Sequence, residues 1–162
     1  MSEPKHLGPG WTRFDFEKSL SKPIRIINDA AMQALGSFRG GRMLFLGLGT
    51  GLGSTMIWEA NVLPLELGDL PYGDGDVIED YLGKSGMKQL GEKAWKREVL
   101  RAVLLLKKSL IADYVVLGGG SAKKFDQLPS GIELGHNRNA FLGGVRLWQI
   151  DLRTRRPKWQ IL

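Results

Sequence analysis

Three stretches of this chain carry residues whose types and spacing suit chemistry. The run Gly47-Leu48-Gly49-Thr50-Gly51-Leu52-Gly53-Ser54 places glycine at every second position, directly after the apolar stretch Met43-Leu44-Phe45-Leu46. Alternate glycines clear one side of the backbone and admit torsions that other residues avoid. Such a loop can turn its N–H groups toward a phosphate, with the Thr50 and Ser54 hydroxyls as further donors. Asn28-Asp29 stands where a short apolar segment gives way to a helical pattern. A carboxylate there is stabilised as an anion by the helix N-terminus and can accept a proton from a hydroxyl within reach. Glu66-Leu67-Gly68-Asp69 sets two acidic side chains on a glycine-containing loop. Such a loop suits sugar hydroxyls, which both donate and accept.

Each stretch also has a simpler reading. The glycine run reads equally as a hairpin with no ligand. Asn28 or Asp29 reads as a plain helix cap. Glu66 and Asp69 read as an ordinary polar loop. Two phosphate motifs are excluded by spacing. A dinucleotide fingerprint needs G-x-G-x-x-G opening a helix, but here strict alternation leads into Ser54-Thr55-Met56-Ile57-Trp58, rich in strand formers. Gly83-Lys84-Ser85 ends like a Walker loop, but Ile78 occupies the position of its first glycine.

The elements that must position these residues follow from hydrophobic periodicity and breakers. Residues 1–21 read as irregular, with Gly8-Pro9-Gly10 as a breaker. A short strand is expected at 24–27, a helix at 29–38, strands at 43–48 and 54–58, and a further strand at 61–63 paired through Glu59-Ala60. Short helical pieces are expected at 76–82 and 87–91, and a long helix at 92–110. In that helix Trp95, Val99, Ala102, Val103, Leu106 and Leu110 form the apolar face. A buried strand at 114–117 ends in Gly118-Gly119-Gly120, and a last helix at 139–148 is expected to pack through Phe141, Val145 and Trp148. Strands alternating with helices indicate an α/β layered domain.

The 162 residues suffice for one ordinary domain, and 43% hydrophobic with 25% charged residues marks a globular chain. With no cysteine, disulfides and thiolate metal sites are excluded. No signal peptide and no apolar run of membrane-spanning length is visible, so a cytoplasmic location away from membranes is expected. The formal charge of +6 concentrates in residues 84–108 and in a tail group of Arg146, Arg153, Arg155, Arg156 and Lys158. Such patches read as solvated surface, or as attraction for a nucleotide, polyphosphate or nucleic acid.

The order of the pieces resembles a known family. Ile27-Asn28-Asp29-Ala30, then Leu48-Gly49-Thr50-Gly51-Leu52-Gly53-Ser54, Glu66-Leu67-Gly68, and Val115-Val116-Leu117-Gly118-Gly119-Gly120 resemble the C-terminal domain of a ROK-type sugar kinase. The similarity is greatest to the glucokinase and polyphosphate glucokinase branch, and it extends from about Leu7 to Trp148. It implies the C-terminal half of an actin-like ATPase (ribonuclease H-like) fold, with a mixed sheet flanked by helices. The implied division is an irregular segment at 1–21, a kinase domain at 22–150 and a basic tail at 151–162. The implied activity is phosphoryl transfer from ATP or polyphosphate, with Mg2+, to the 6-hydroxyl of a hexose. By matching position, Asp29 is the implied general base, and Asn28 and Glu66 hold other sugar hydroxyls. Gly49, Thr50 and Gly51 face the donor phosphates, and Gly118, Gly119 and Gly120 line the adenosine side.

Three departures accompany the resemblance. Asp69 stands where the family commonly has histidine, which puts sugar contact at Asp69 in question. The zinc-site cysteines are absent, and His6 and His136 read as surface residues, so no zinc is expected. The family's preceding domain opens with Asp-x-Gly-Gly-Thr, a motif not found here. The expectation is therefore a fragment, a truncated homologue or one member of a split pair, whose activity alone is open. The competing reading is a non-catalytic binding or assembly module, partnered by a second copy or by a complementary N-terminal domain. Nucleic-acid binding ranks last, for want of any recognisable motif.

Overall fold

The computed structural model describes residues 8–73 and 75–162, so the reading of His6 lies outside the described residues. His136 is exposed. The elements in order are α1 (Phe16–Leu20), α2 (Asp29–Ser37), β1 (Arg42–Leu48), β2 (Leu52–Trp58) and β3 (Asn61–Leu65). A 3-10 turn at Leu67–Asp69 leads to β4 (Pro71–Tyr72), β5 (Asp76–Val77), α3 (Ile78–Leu82), α4 (Lys84–Leu90) and α5 (Glu92–Ser109). Then come β6 (Tyr114–Gly118), a 3-10 turn at Gly120–Lys124, β7 (Ile132–Leu134), α6 (Asn139–Leu147) and β8 (Gln160–Ile161).

Six strands form one sheet in the order β7-β6-β1-β2-β3-β8. Of these only β2 runs against its neighbours; β1 pairs parallel with β6, β6 with β7, and β3 with β8. Helices cover both faces, because β1 at the centre is apolar on both sides. Leu44, Leu46 and Leu48 join the core under α5, while Met43 and Phe45 join the core under α2 and α6. This alternation is the period-two geometry of a strand. Trp95 and Val99 of α5 are fully buried in the first core, and Ala31, Ala34 and Leu35 of α2 in the second.

The expected 24–27 strand does not form. The Ile24 N–H donates to the Glu17 carboxylate at 3.0 Å, Ile26 is half exposed, and Arg25 donates to the Leu147 carbonyl while lying 4.5 Å from the Trp148 ring centroid. The backbone is thus tied to side chains and no strand edge is offered. Residues 16–20, expected to be irregular, form the single-turn helix α1, capped by the Asp15 carboxylate on the Lys18 N–H. The basic tail does not trail in solvent either. Trp159 is buried edge-on against Phe38, and Gln160–Ile161 extends the sheet beside β3.

The packing face of α6 also differs from expectation. Gly143 and Leu147 are its buried residues, whereas Phe141 is 80% and Val145 68% exposed. The cause is backbone proximity. A Cβ on Gly143 would overlap the Met32 carbonyl oxygen, and one on Gly36 would overlap that of Asn139. The two helices approach through their smallest residues, which turns the bulky apolar side of α6 outward. Arg146 completes the join by donating to the carbonyls of Leu35 and Phe38 at the end of α2.

The segment from β4 to α3 is braced by aromatic and charged side chains. The Tyr72 hydroxyl donates to Glu98 at 2.5 Å, Tyr72 and Tyr81 meet edge-to-face, and Arg101 lies over the Tyr72 ring while binding Glu98. Burial, and then the bond to Glu98, push the Tyr72 phenol up to about 12. The Arg101 hydrogen bonds, followed by that from Tyr72, hold the Glu98 carboxyl below the usual range.

Two outcomes follow. Gly143→Ala should force the helices apart and lower stability by about 2 kcal/mol, measured by urea unfolding. Because the folded Tyr72 pKa is raised, its contribution is complete below the unfolded value of 10.0 and declines as pH climbs toward about 12. Unfolding free energies measured through that window should fall, and Tyr72→Phe should remove this part of the decline.

Candidate functional site

The topology gathers the sequence-nominated residues at one edge of the sheet. Strands β1, β3 and β6 run the same way, so their C-terminal ends share that edge. The edge carries the β1–β2 hairpin, the Glu66 turn and the Gly118–Gly120 stretch, an arrangement found where open α/β sheets bind ligands. The N-terminus of α2 reaches the same edge, because Ala30 Cβ lies 3.0 Å from the position a Cβ on Gly53 would take.

Asn28 is the helix cap. Its Oδ1 accepts from the Ala30 and Ala31 N–H groups at 2.8 and 3.2 Å, which leaves its NH2 group to donate elsewhere. Asp29 occupies the first helical position with an exposed side chain, and its Oδ1 also accepts from Ala30 N–H at 2.8 Å. Asn28 therefore fills the capping role, and the exposed Asp29 carboxylate shares the Ala30 N–H beside it.

The glycine run is a tight hairpin. Gly47 and Gly53 face each other inside the strands, Leu48 pairs with Leu52, and only Gly49, Thr50 and Gly51 form the tip. The Gly49 N–H donates across the tip to Gly51 O at 3.1 Å, and Thr50 is exposed. Ser54 is not available to a phosphate. It is buried, donates to Leu65 O at 2.7 Å and accepts from Leu67 N–H at 3.0 Å. Its hydroxyl instead fixes the turn that presents Glu66 and Asp69, both exposed.

The three glycines at the end of β6 differ in role. Gly118 is buried, and a Cβ there would overlap the Phe45 ring. Gly119 takes φ +81 and sits against the Leu48 backbone at the base of the hairpin. Gly120 faces open space. Gly119 and the base of the hairpin are thus in direct contact.

Two residues at this edge carry roles that the sequence did not disclose. The Glu79 carboxylate of α3 meets the Leu52 N–H at 3.4 Å and stands where Cβ atoms on Gly51 and Gly68 would go. It therefore packs between the hairpin and the Glu66 turn. A lone glutamate on a short helix has a solvated explanation, so only tertiary contact could single it out. Gly83, met above in the excluded Walker pattern, lets the chain approach the Thr50 carbonyl, and the Lys84 N–H donates to Gly49 O at 3.2 Å. Among the described residues no group of three or more His, Cys, Asp or Glu is placed to hold a metal. No helix among them is long and apolar enough to cross a membrane.

No family model matches the chain. Over 117 residues it is 27% identical to the polyphosphate glucokinase of Mycobacterium leprae, covering 66% of this chain and 36% of that protein. It is also 27% identical over 115 residues to that of Mycobacterium tuberculosis, covering 64% and 43%. The match spans about two fifths of the length of these curated relatives. Among solved structures, the inorganic polyphosphate/ATP-glucomannokinase of Arthrobacter superposes with TM-score 0.65 at 24% identity, covering 78% of this chain and 57% of that one. A ROK family glucokinase from Streptomyces griseus, solved with glucose and AMPPNP, superposes with TM-score 0.58 at 14% identity, covering 78% and 68%. The sheet order, the single antiparallel strand and these likenesses give an actin-like ATPase fold. The chain is similar in sequence to polyphosphate glucokinases and in fold to ROK-family sugar kinases.

Proposed function

We propose that this chain supplies the hexose site and one wall of the donor site of a sugar kinase. The reaction is transfer of a phosphoryl group from polyphosphate or ATP to the 6-hydroxyl of a hexose. The observation that carries this reading is an exposed Asp29 carboxylate on the same sheet edge as the glycine hairpin and the Glu66 turn.

In this reading the sugar lies between the α2 N-terminus and the Glu66 turn. The Asn28 NH2 group donates to a sugar oxygen, and the Glu66 and Asp69 carboxylates accept from sugar hydroxyls. Asp69 accepts but cannot donate, so it reads fewer hydroxyl orientations than an imidazole. The 6-hydroxyl oxygen attacks the terminal phosphorus, the bond to the donor's bridging oxygen breaks, and Asp29 takes the hydroxyl proton. The Thr50 and Gly51 N–H groups and the Thr50 hydroxyl face the donor phosphates, with Gly119 and Gly120 alongside, while the Gly49 N–H closes the tip onto Gly51 O. Mg2+ travels with the donor phosphates. Positioning supplies most of the catalysis in phosphoryl transfer, which suits a site built from close backbone approaches.

A second reading rests on the exposed stripe of Phe141, Val145 and Trp148 on α6, which suits an assembly module bound to a second copy or a complementary domain. Transfer of isotope-labelled phosphate to glucose separates the two. The test uses this chain alone and then mixed with the N-terminal portion of a ROK kinase. Transfer is expected in at least the mixed sample. Asp29→Ala should reduce it by a factor of about a hundred or more with the circular dichroism spectrum unchanged. No transfer in either sample would contradict the kinase reading and leave the assembly reading.

A further inference from the structure

The chain leaves α5 through a strained residue that its own packing does not explain. Among the described residues Ser21, Glu59, Ile111 and Arg155 take positive φ without being glycine, and Ile111, at φ 54°, is the β-branched one. A branched side chain crowds the backbone in that region, which is why glycine commonly stands just past a helix end. The Ile111 N–H donates to Lys108 O at 3.2 Å and the Ala112 N–H to Lys107 O at 2.9 Å. Glycine at position 111 would make the same turn without the crowding. Burial does not offset the strain either, because Ile111 is 66% exposed.

Ile111 walls a cavity of about 410 Å³. Leu104, also exposed, extends the apolar wall, and Lys107, Lys108, Arg42 and Asp113 line the rest. Arg42 opens β1 and Asp113 precedes β6, so the cavity lies at the sheet edge opposite the glycine hairpin. Arg42 binds Asp113 through Nη2 at 2.7 Å and through its backbone N–H at 2.8 Å. Those bonds hold the Asp113 carboxyl below the usual range. Three cations thus share the cavity with one carboxylate, which Arg42 already occupies. Lys107 and Lys108 make no ion pair among the described residues. The last carbonyls of α5 are taken up as well, since Leu106 O, Lys107 O and Lys108 O each accept an N–H from the turn.

We infer that this cavity is a binding site for a small organic anion with an apolar body, a medium-chain carboxylate. The Lys107 and Lys108 ammonium groups take the carboxylate, and Ile111 and Leu104 cover the chain. The strain at Ile111 is then kept because the ligand uses the side chain. Inorganic phosphate would meet the lysines but leave both apolar side chains in water, and an alkylamine would meet cations with a cation. The volume falls within the range of small-molecule sites, about 300–1,000 Å³. The site is separate from the sugar and donor edge, and it stands or falls independently of the kinase reading.

The test is an amide chemical-shift titration of the full 162-residue chain with octanoate, butanoate, octylamine and inorganic phosphate. Octanoate should move the amides of Lys108, Ile111, Ala112 and Asp113 to saturation. It should bind about tenfold or more tightly than butanoate, because each added methylene is buried against the apolar wall. Octylamine and phosphate should leave those amides in place. Ile111→Gly is the deciding variant. Relief of the strain should raise the melting temperature by about 2–4 °C, while loss of the apolar wall should weaken octanoate about tenfold. Lys107→Gln with Lys108→Gln should weaken octanoate by a similar factor with amide shifts elsewhere unchanged. A stabilised Ile111→Gly chain that binds octanoate as before would overturn the site. So would a destabilised one, which would show that this chain's own packing holds the side chain. Octylamine or phosphate binding as well as octanoate, or octanoate shifts confined to the exposed face of α6, would also overturn it.

Discussion

The turn-back of the chain at Gly49–Gly51 is the constraint on which the rest of the structure depends. It makes β2 the one antiparallel strand of the sheet, and β3, folding back on β2, runs with β1. The ends of β1, β3 and β6 then fall on one edge, so loops far apart in sequence become neighbours. The hairpin must be narrow for this to work. Its tip is pressed by Glu79 from one side, by Gly83 and Lys84 from another, and by Gly119 from beneath. Side chains at Gly51, Gly83 or Gly119 would occupy space already filled by these neighbours.

The two cores translate this local geometry into rigidity. Burial of β1 on both faces fixes the strand between α5 and the α2–α6 pair, and α2 in turn carries Asn28 and Asp29 to the edge. Ser54 then couples core to site with one hydroxyl, holding the Leu65 carbonyl and the Leu67 N–H at once. A buried hydroxyl that both donates and accepts leaves no unsatisfied group, which is the condition for placing it inside a sheet. The close α2–α6 crossing has a different consequence. By bringing Gly36 and Gly143 together it leaves the larger apolar side chains of α6 outside.

Much of the fold was legible from periodicity. Helix α5 and strands β1, β2, β3 and β6 lie where apolar spacing and breakers indicated, within a residue or two. The 24–27 segment misled because β-branched residues record burial preference, whereas a strand also requires a partner edge. Helix α6 misled for a related reason. Phe141, Val145 and Trp148 have the spacing of a buried face, but glycine-mediated backbone contact decided which side turned inward. Strands β7 and β8 were too short to signal, and β8 exists through its pairing with β3. At the candidate edge, the glycine run, Asn28-Asp29 and Glu66 stood out by residue type. Glu79 and the structural use of Ser54 depend on contacts between distant segments, which no local pattern encodes.

The glycine edge acquires meaning only if small ligands occupy the place that the topology builds. The most direct measurement is amide chemical-shift mapping of the isotopically labelled chain titrated with glucose and tripolyphosphate. Glucose should move the amides of Asn28, Asp29, Ala30, Glu66 and Gly68. Tripolyphosphate should move those of Gly49, Thr50, Gly51, Gly119 and Gly120. Perturbations absent from these positions, or confined to the far end of the sheet around Arg42 and Asp113, would contradict the assignment of this edge as the site.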